Sequence, residues 1–136
     1  MEQLYNREKF ATTKNFNMAQ VTNKEIIRRL HLMQNNKWCS VTISRQINGL
    51  GISGSTFTYS RNKKSTAQMS LSDICNYYDM CYKFYAGFPI SRMILQTHIL
   101  STSHNAHYSF FMSLMEELRL GTIDRSVSPT TLTILK

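Results

Sequence analysis

Four hydroxyl side chains fall within six residues, at Ser53, Ser55, Thr56 and Thr58, and Tyr59, Arg61, Lys63 and Lys64 come after them. Short hydroxyls beside Gly54, whose backbone no side chain shields, suit an anionic oxygen at close range. If the run opens a helix, its free N–H groups and the positive end of its dipole add to that attraction. Tyr59 can stack or donate, and the three cations can neutralise phosphates just beyond. Thr42, Arg45 and Gln46 bring further donors a few residues upstream. These residue types support non-covalent recognition of a polyanion, with nucleic acid as the first candidate.

Other chemistry has less to build on. His104 and His107 stand three apart with His98 nearby, a spacing that can share a metal. No carboxylate is close in sequence, however, and the three cysteines (Cys39, Cys75, Cys81) lack C-x-x-C spacing. No metal site is expected. An odd number of cysteines without framework spacing suits reduced thiols. Cys39, beside Trp38, has no nucleophile elbow around it, so burial is expected of it rather than catalysis. Phosphate-loop and dinucleotide fingerprints are missing as well. The expectation is a protein without cofactor and without enzymatic activity.

The charge agrees with a polyanion partner. The 136 residues carry 16 Lys and Arg against 8 Asp and Glu, a formal +8. Nucleic acid is the first partner such a balance implies, and an anionic membrane surface the second. The distribution is uneven: residues 37–69 hold Lys37, Arg45, Arg61, Lys63 and Lys64 with no acid, whereas 70–121 is slightly acidic. Five Gly and two Pro exclude collagen-like and Pro-rich chains. There is no apolar run long enough to span a bilayer and no apolar stretch at the N-terminus resembling a secretory signal, so a cytoplasmic protein without membrane contact is expected.

The elements that must position these residues read as helices. Thr22-Asn23-Lys24-Glu25 is a capping box, after which Ile26, Ile27, Leu30 and Met33 recur at helical spacing to about Asn35. Ile43, Ile47 and Leu50 line one face of a second helix, punctuated by Gly49 and Gly51. Ser53 then caps a short third helix, with Phe57 inward. Ser70-Leu71-Ser72-Asp73 is a second capping box, opening a helix to about Tyr85. A further helix spans Ile90 to Leu100. The stripe Ala106, Phe110, Phe111, Leu114, Met115 and Leu118 makes the last one, closed by Gly121. Leu132 and Ile134 alternate weakly after Pro129, as in a short strand or a disordered tail.

Helix, glycine turn, hydroxyl-rich helix: residues 22 to about 85 resemble the lambda-repressor-like helix-turn-helix domain of the Cro, repressor and xenobiotic-response-element type. The resemblance rests on Leu50-Gly51-Ile52-Ser53-Gly54-Ser55-Thr56-Phe57-Thr58-Tyr59-Ser60-Arg61, similar to the run that opens that family's recognition helix, and on Met69-Ser70-Leu71-Ser72-Asp73-Ile74, similar to its fourth helix. Two turn registers are open. Gly51 as the turn glycine leaves Ile47 where the family has a small residue; Ile43-Ser44 as the apolar–small pair leaves Gly49 and Leu50 as additions. In that family the second helix of the motif enters the major groove and dimers read paired half-sites.

The resemblance implies an all-α bundle of four to five helices: an arm over 1–21, a helix-turn-helix DNA-binding domain over 22–88, a helical dimerisation or partner segment over 89–121 and a tail over 122–136. It implies a sequence-specific, double-stranded-DNA-binding transcriptional regulator of bacterial, phage or plasmid type. The DNA contacts would be Thr42, Arg45, Gln46, Ser53, Gly54, Ser55, Thr56, Thr58, Tyr59, Arg61, Lys63 and Lys64. Beside the resemblance, the stripe of Phe110, Phe111, Leu114 and Leu118 covers more than one helical face, which predicts a homodimer through these residues. Two other functions fit the residues: an antitoxin-type protein that clasps a toxin with its C-terminal helices, and a protein-interaction module without DNA.

Overall fold

The computed structural model describes residues 19–33, 37–39, 46–61 and 65–136. In chain order these form α1 (Asn23–His31), β1 (Lys37–Cys39), β2 (Gln46–Ser53), β3 (Thr56–Arg61), β4 (Ser65–Ser70) and α2 (Leu71–Tyr85). There follow α3 (Arg92–Ile94), continued by a π-helical turn (Leu95–Ile99), a 3-10 turn (Asn105–His107) leading into α4 (Tyr108–Glu117), and the strands β5 (Gly121–Asp124) and β6 (Thr131–Ile134). The protein is mixed α/β, and the all-α expectation is overturned. β1, β2, β3 and β4 form one antiparallel meander in that order, and β5 pairs with β6.

The expected recognition helix is a β-hairpin. Ser53 ends β2 and Thr56 begins β3, leaving Gly54-Ser55 as a two-residue turn with Gly54 at φ +61. A positive φ at the first turn position is what a type II′ hairpin turn requires, and glycine meets it without strain. The residues beyond the turn are Thr, Phe and Tyr, which fit a pleated surface better than a helix interior. Two residues per repeat place Phe57 and Tyr59 on one face, and both are fully buried. Ile52 pairs with Phe57, Phe57 with Met69 and Tyr59 with Ala67, so one face of the sheet is apolar across three strands. Gly49 and Gly51, expected to end a helix, flank a bulge in β2.

After α3 and its π-helical turn, residues 100–104 and the 3-10 turn lead into α4, and the β5–β6 hairpin follows. Ile90, just before α3, forms an antiparallel bridge with Leu132 on β6. Leu132 and Ile134 are buried, so the weak alternation in the tail is a strand. Gly121 does not cap α4. Arg119 takes the left-handed position at φ 64, with Arg119 N–H donating to Glu116 O and Leu120 N–H to Met115 O, a Schellman closure without glycine. Gly121 lies in β5, where a Cβ would stand 2.8 Å from Thr133 O.

α4 is enclosed on two sides. Phe111 meets Tyr77 of α2 edge-on at 5.9 Å between ring centroids. Phe110 stacks on Tyr59 at 3.4 Å and on Phe57 at 6.3 Å. One buried cluster runs from Ile26 to Ile134 and includes both contacts. α1 closes it from the end. Thr22 caps α1 by accepting from Glu25 N–H at 3.2 Å, and Ser70 caps α2 from Asp73 N–H at 3.0 Å, both as the sequence predicts. Glu25 does not reach back to complete its box. Its carboxylate instead accepts from Arg28 and Arg29, each at 2.8 Å, and Arg29 also donates to Leu118 O at the C-terminal end of α4 at 2.8 Å.

Two stability outcomes follow from this packing. Phe57→Ala, which empties a fully buried site between sheet and α4, lowers unfolding stability in urea by roughly 3–5 kcal/mol; a loss below about 1 kcal/mol contradicts the packing. The Arg28 hydrogen bond, with Arg29 beside it, holds Glu25 at about 2, below its ordinary 4.5. A depressed carboxylate contributes fully above its unfolded value and loses that contribution as pH falls toward the folded one. The stability difference between the native chain and Glu25→Gln is therefore largest above about pH 4.5 and shrinks toward pH 2, measured by urea unfolding across that range.

Candidate nucleic-acid interface

The expected contact residues divide between the two ends and the outer face of the four-stranded sheet. Ser53, Gly54 and Ser55 form the exposed hairpin tip. Thr56 and Thr58 lie on the face opposite Phe57 and Tyr59 and are half-buried. Thr58 pairs with exposed Gln68 and Thr56 with Ser70, so hydroxyls and an amide line this face where it is described; Ser60 continues the row but is nearly buried. Gln46 is the first residue of β2 and Arg61 the last of β3. Thr42, Arg45, Lys63 and Lys64 lie outside the described residues, as does the Ile43-Ser44 register of the expected turn; Ile47, the other register, stands on β2.

Tyr59 cannot be a contact residue. It is fully buried, stacked on Phe110, and its hydroxyl is hydrogen-bonded to His107 Nδ1. Phe110, Phe111 and Leu114 are fully buried and Leu118 is 1% exposed, so the expected dimer contact has no free side chain among them. The two faces of that helix are real, but the chain's own sheet occupies the one assigned to a second subunit.

Strand register places part of the charge. β1 and β3 end where β2 and β4 begin, through the pairs Cys39–Gln46, Ile47–Arg61 and Arg61–Ser65. Arg45 is bonded to the first residue of β2, Lys63 and Lys64 precede the first residue of β4, Arg61 ends β3, and Lys37 pairs with Asn48 two positions along β2. Of the five cations of the acid-free stretch, Lys37 and Arg61 thus stand on described strands, Arg61 at the end of the sheet opposite the hydroxyl-bearing tip. The length of β3 separates Arg61 from that tip by roughly 17 Å. The tip hydroxyls and Arg61, expected close together around one short helix, therefore sit at opposite ends of a strand.

His104 and His107 have structural partners. His104 Nδ1 is hydrogen-bonded to the Tyr77 hydroxyl at 2.7 Å and lies 3.9 Å from Asp73, and Tyr77 also donates to Ser101 at 3.0 Å. With Tyr59–His107, two Tyr–His pairs tie the start of α4 to β3 and to α2. Among the described residues no group of three His, Cys, Asp or Glu gathers in a metal-holding arrangement. Cys75 and Cys81 are buried free thiols, and burial pushes Cys81 up to about 12, far from a thiolate at neutral pH. No described helix is long and apolar enough to cross a membrane.

Three of the five exposed large apolar residues among those described fall within ten positions around the α2–α3 connection: Phe84 at 70%, Phe88 at 64% and Met93 at 69%. The sequence pattern places Met93 on the apolar face of its helix, and the structure exposes it.

Tyr59→Phe removes one buried hydrogen bond and leaves the stack intact. It lowers stability by about 1 kcal/mol in urea and does not alter any preference among DNA sequences; an altered preference would return Tyr59 to the contact surface. Comparison of the chain with protein-family models, curated proteins and solved structures finds no match.

Proposed function

We propose that this chain is a DNA-binding transcriptional regulator that engages double-stranded DNA with its four-stranded sheet. The observation that carries the reading is that residues 37–69, which supply the four strands of that sheet, hold Lys37, Arg45, Arg61, Lys63 and Lys64 and no acid. In this reading the basic stretch holds phosphates, which positions the protein without reading sequence. Thr56, Thr58 and Gln68 then lie against base edges; the major groove admits a β-ribbon as it does a helix. α4 is the poorer candidate, because its residues from Phe110 to Met115 are all buried.

A protein partner, as in the antitoxin-type and interaction-module alternatives, draws support from the exposed Phe84, Phe88 and Met93. Apolar groups at that exposure mark contact surfaces when they cluster.

Binding of heterologous DNA titrated against salt separates these readings. If each of the five cations neutralises one phosphate, log affinity falls against log salt with a slope of about −4.5 per chain, or roughly 500-fold between 50 and 200 mM. Lys63→Ala with Lys64→Ala makes the slope shallower by about 1.8 and weakens all sequences alike. Thr58→Val changes which sequence is preferred. A flat salt response removes DNA and leaves the protein-partner alternatives.

A further inference from the structure

The two edges of the four-stranded sheet are unequal. β1 is three residues long and includes Lys37, and a short, charged edge is one that resists further pairing. β4 is the other edge: Ser65-Thr66-Ala67-Gln68-Met69-Ser70, six residues with no charge, proline or glycine. Its pairing with β3 runs without a bulge from Thr56–Ser70 to Arg61–Ser65. Among the described residues no strand lies on its outer side, and no backbone hydrogen bond outside the sheet involves Ser65–Ser70. About half of its N–H and C=O groups therefore point outward in a regular row, and among the described residues no charge, proline, bulge or added strand blunts it.

We infer that the outer edge of β4 is a docking site for the β4 of a second copy of this chain, paired antiparallel about a two-fold axis to give one continuous eight-stranded sheet. Antiparallel self-pairing uses the same donors and acceptors on both chains, the isologous contact that closes a dimer. The faces decide the register. Buried Met69 must remain on the apolar side in both copies, so residues of like parity face each other and the axis passes through Ala67 or Gln68.

Charge favours a second copy over an open edge left for an arbitrary strand. The seam is neutral, so the two chains approach without like charges across it. Because β4 reverses direction across the axis, the two sheet ends that carry Arg61 lie diagonally apart, roughly 20 Å by strand spacing and rise. That exceeds the screening length of about 8 Å at physiological salt, so their mutual repulsion is weak. The burial of Phe110, Phe111, Leu114 and Leu118 removes the helical contact as a competing seam.

This inference stands without the DNA reading, and its test contains no DNA. Light scattering of the full chain at tens of micromolar gives a dimer. Amide exchange, followed across a dilution series, shows protection throughout Ser65–Ser70 when concentrated and at only about half of those amides when dilute. Gln68→Lys, an exposed position that tolerates charge in the monomer, places cations at the seam and weakens the dimer roughly fivefold or more while leaving thermal unfolding of the dilute monomer unchanged. A monomer at these concentrations overturns the inference. So does a dimer whose β4 exchange does not depend on concentration, or one that Gln68→Lys leaves as tight as before.

Discussion

Tyr59 lies flat on Phe110, ring centroids 3.4 Å apart and planes 3° from parallel, and this contact decides where the other elements can go. A small antiparallel sheet with one apolar face is not stable alone; it needs something apolar laid against that face. α4 supplies it. Phe110 and Phe111 are successive residues, so about 100° of helix separates their directions. With Phe110 committed to the sheet, Phe111 is turned onto Tyr77 and α2, and α4 becomes the shared middle layer. The hydroxyl of Tyr59 then needs a polar partner in a buried place, and His107, one turn before Phe110, provides it. Arg29 performs the matching service at the other end of α4, donating to Leu118 O.

Sealing α4 in this way has a functional consequence. A helix that reads a groove must leave one long face to solvent, and α4 has Phe110, Ser113 and Leu114 covered. The strands have the opposite arrangement: what is apolar points at α4, and Thr56, Thr58 and Gln68 are on the far side. Any polyanion contact of the proposed kind therefore runs through the sheet, and the hydroxyl-rich segment keeps its role in that reading while changing its geometry.

How much of this was legible in the sequence follows from the range of each signal. The two N-caps are local, a hydroxyl and an N–H three residues on, and both Thr22 and Ser70 cap as read. α2 begins and ends where its cap and apolar face placed it. Residues 53–61 went wrong because one inward residue, Phe57, satisfies helix and strand alike; Tyr59 distinguishes them, since a period of two buries it and a period of 3.6 turns it outward. Gly54-Ser55 between Ile52 and Phe57 is a hairpin turn signal, and Ser53 before it satisfies an N-cap pattern equally well. The stripe on α4 shows two apolar faces in sequence, but a periodic pattern does not say what covers each, and here the chain's own sheet covers one and α2 the other. The left-handed turn at Arg119 had no local signal at all: the pattern pointed to Gly121, whose smallness answers a close approach to Thr133 O.

Five like charges in an acid-free stretch carry a physical cost that bears on function. Lys37, Arg45, Arg61, Lys63 and Lys64 have no acid between residues 37 and 69 to compensate them within their own stretch. Self-repulsion of this kind destabilises the folded state and is relieved by anything anionic that binds there. The core does not need these cations, since the buried cluster closes without them. In the proposed reading the sheet completes the core with its apolar face, and the basic stretch is left to meet an anionic partner. The same separation leaves β4 neutral along its whole length, so the element that could join two chains is also the one the charge does not reach.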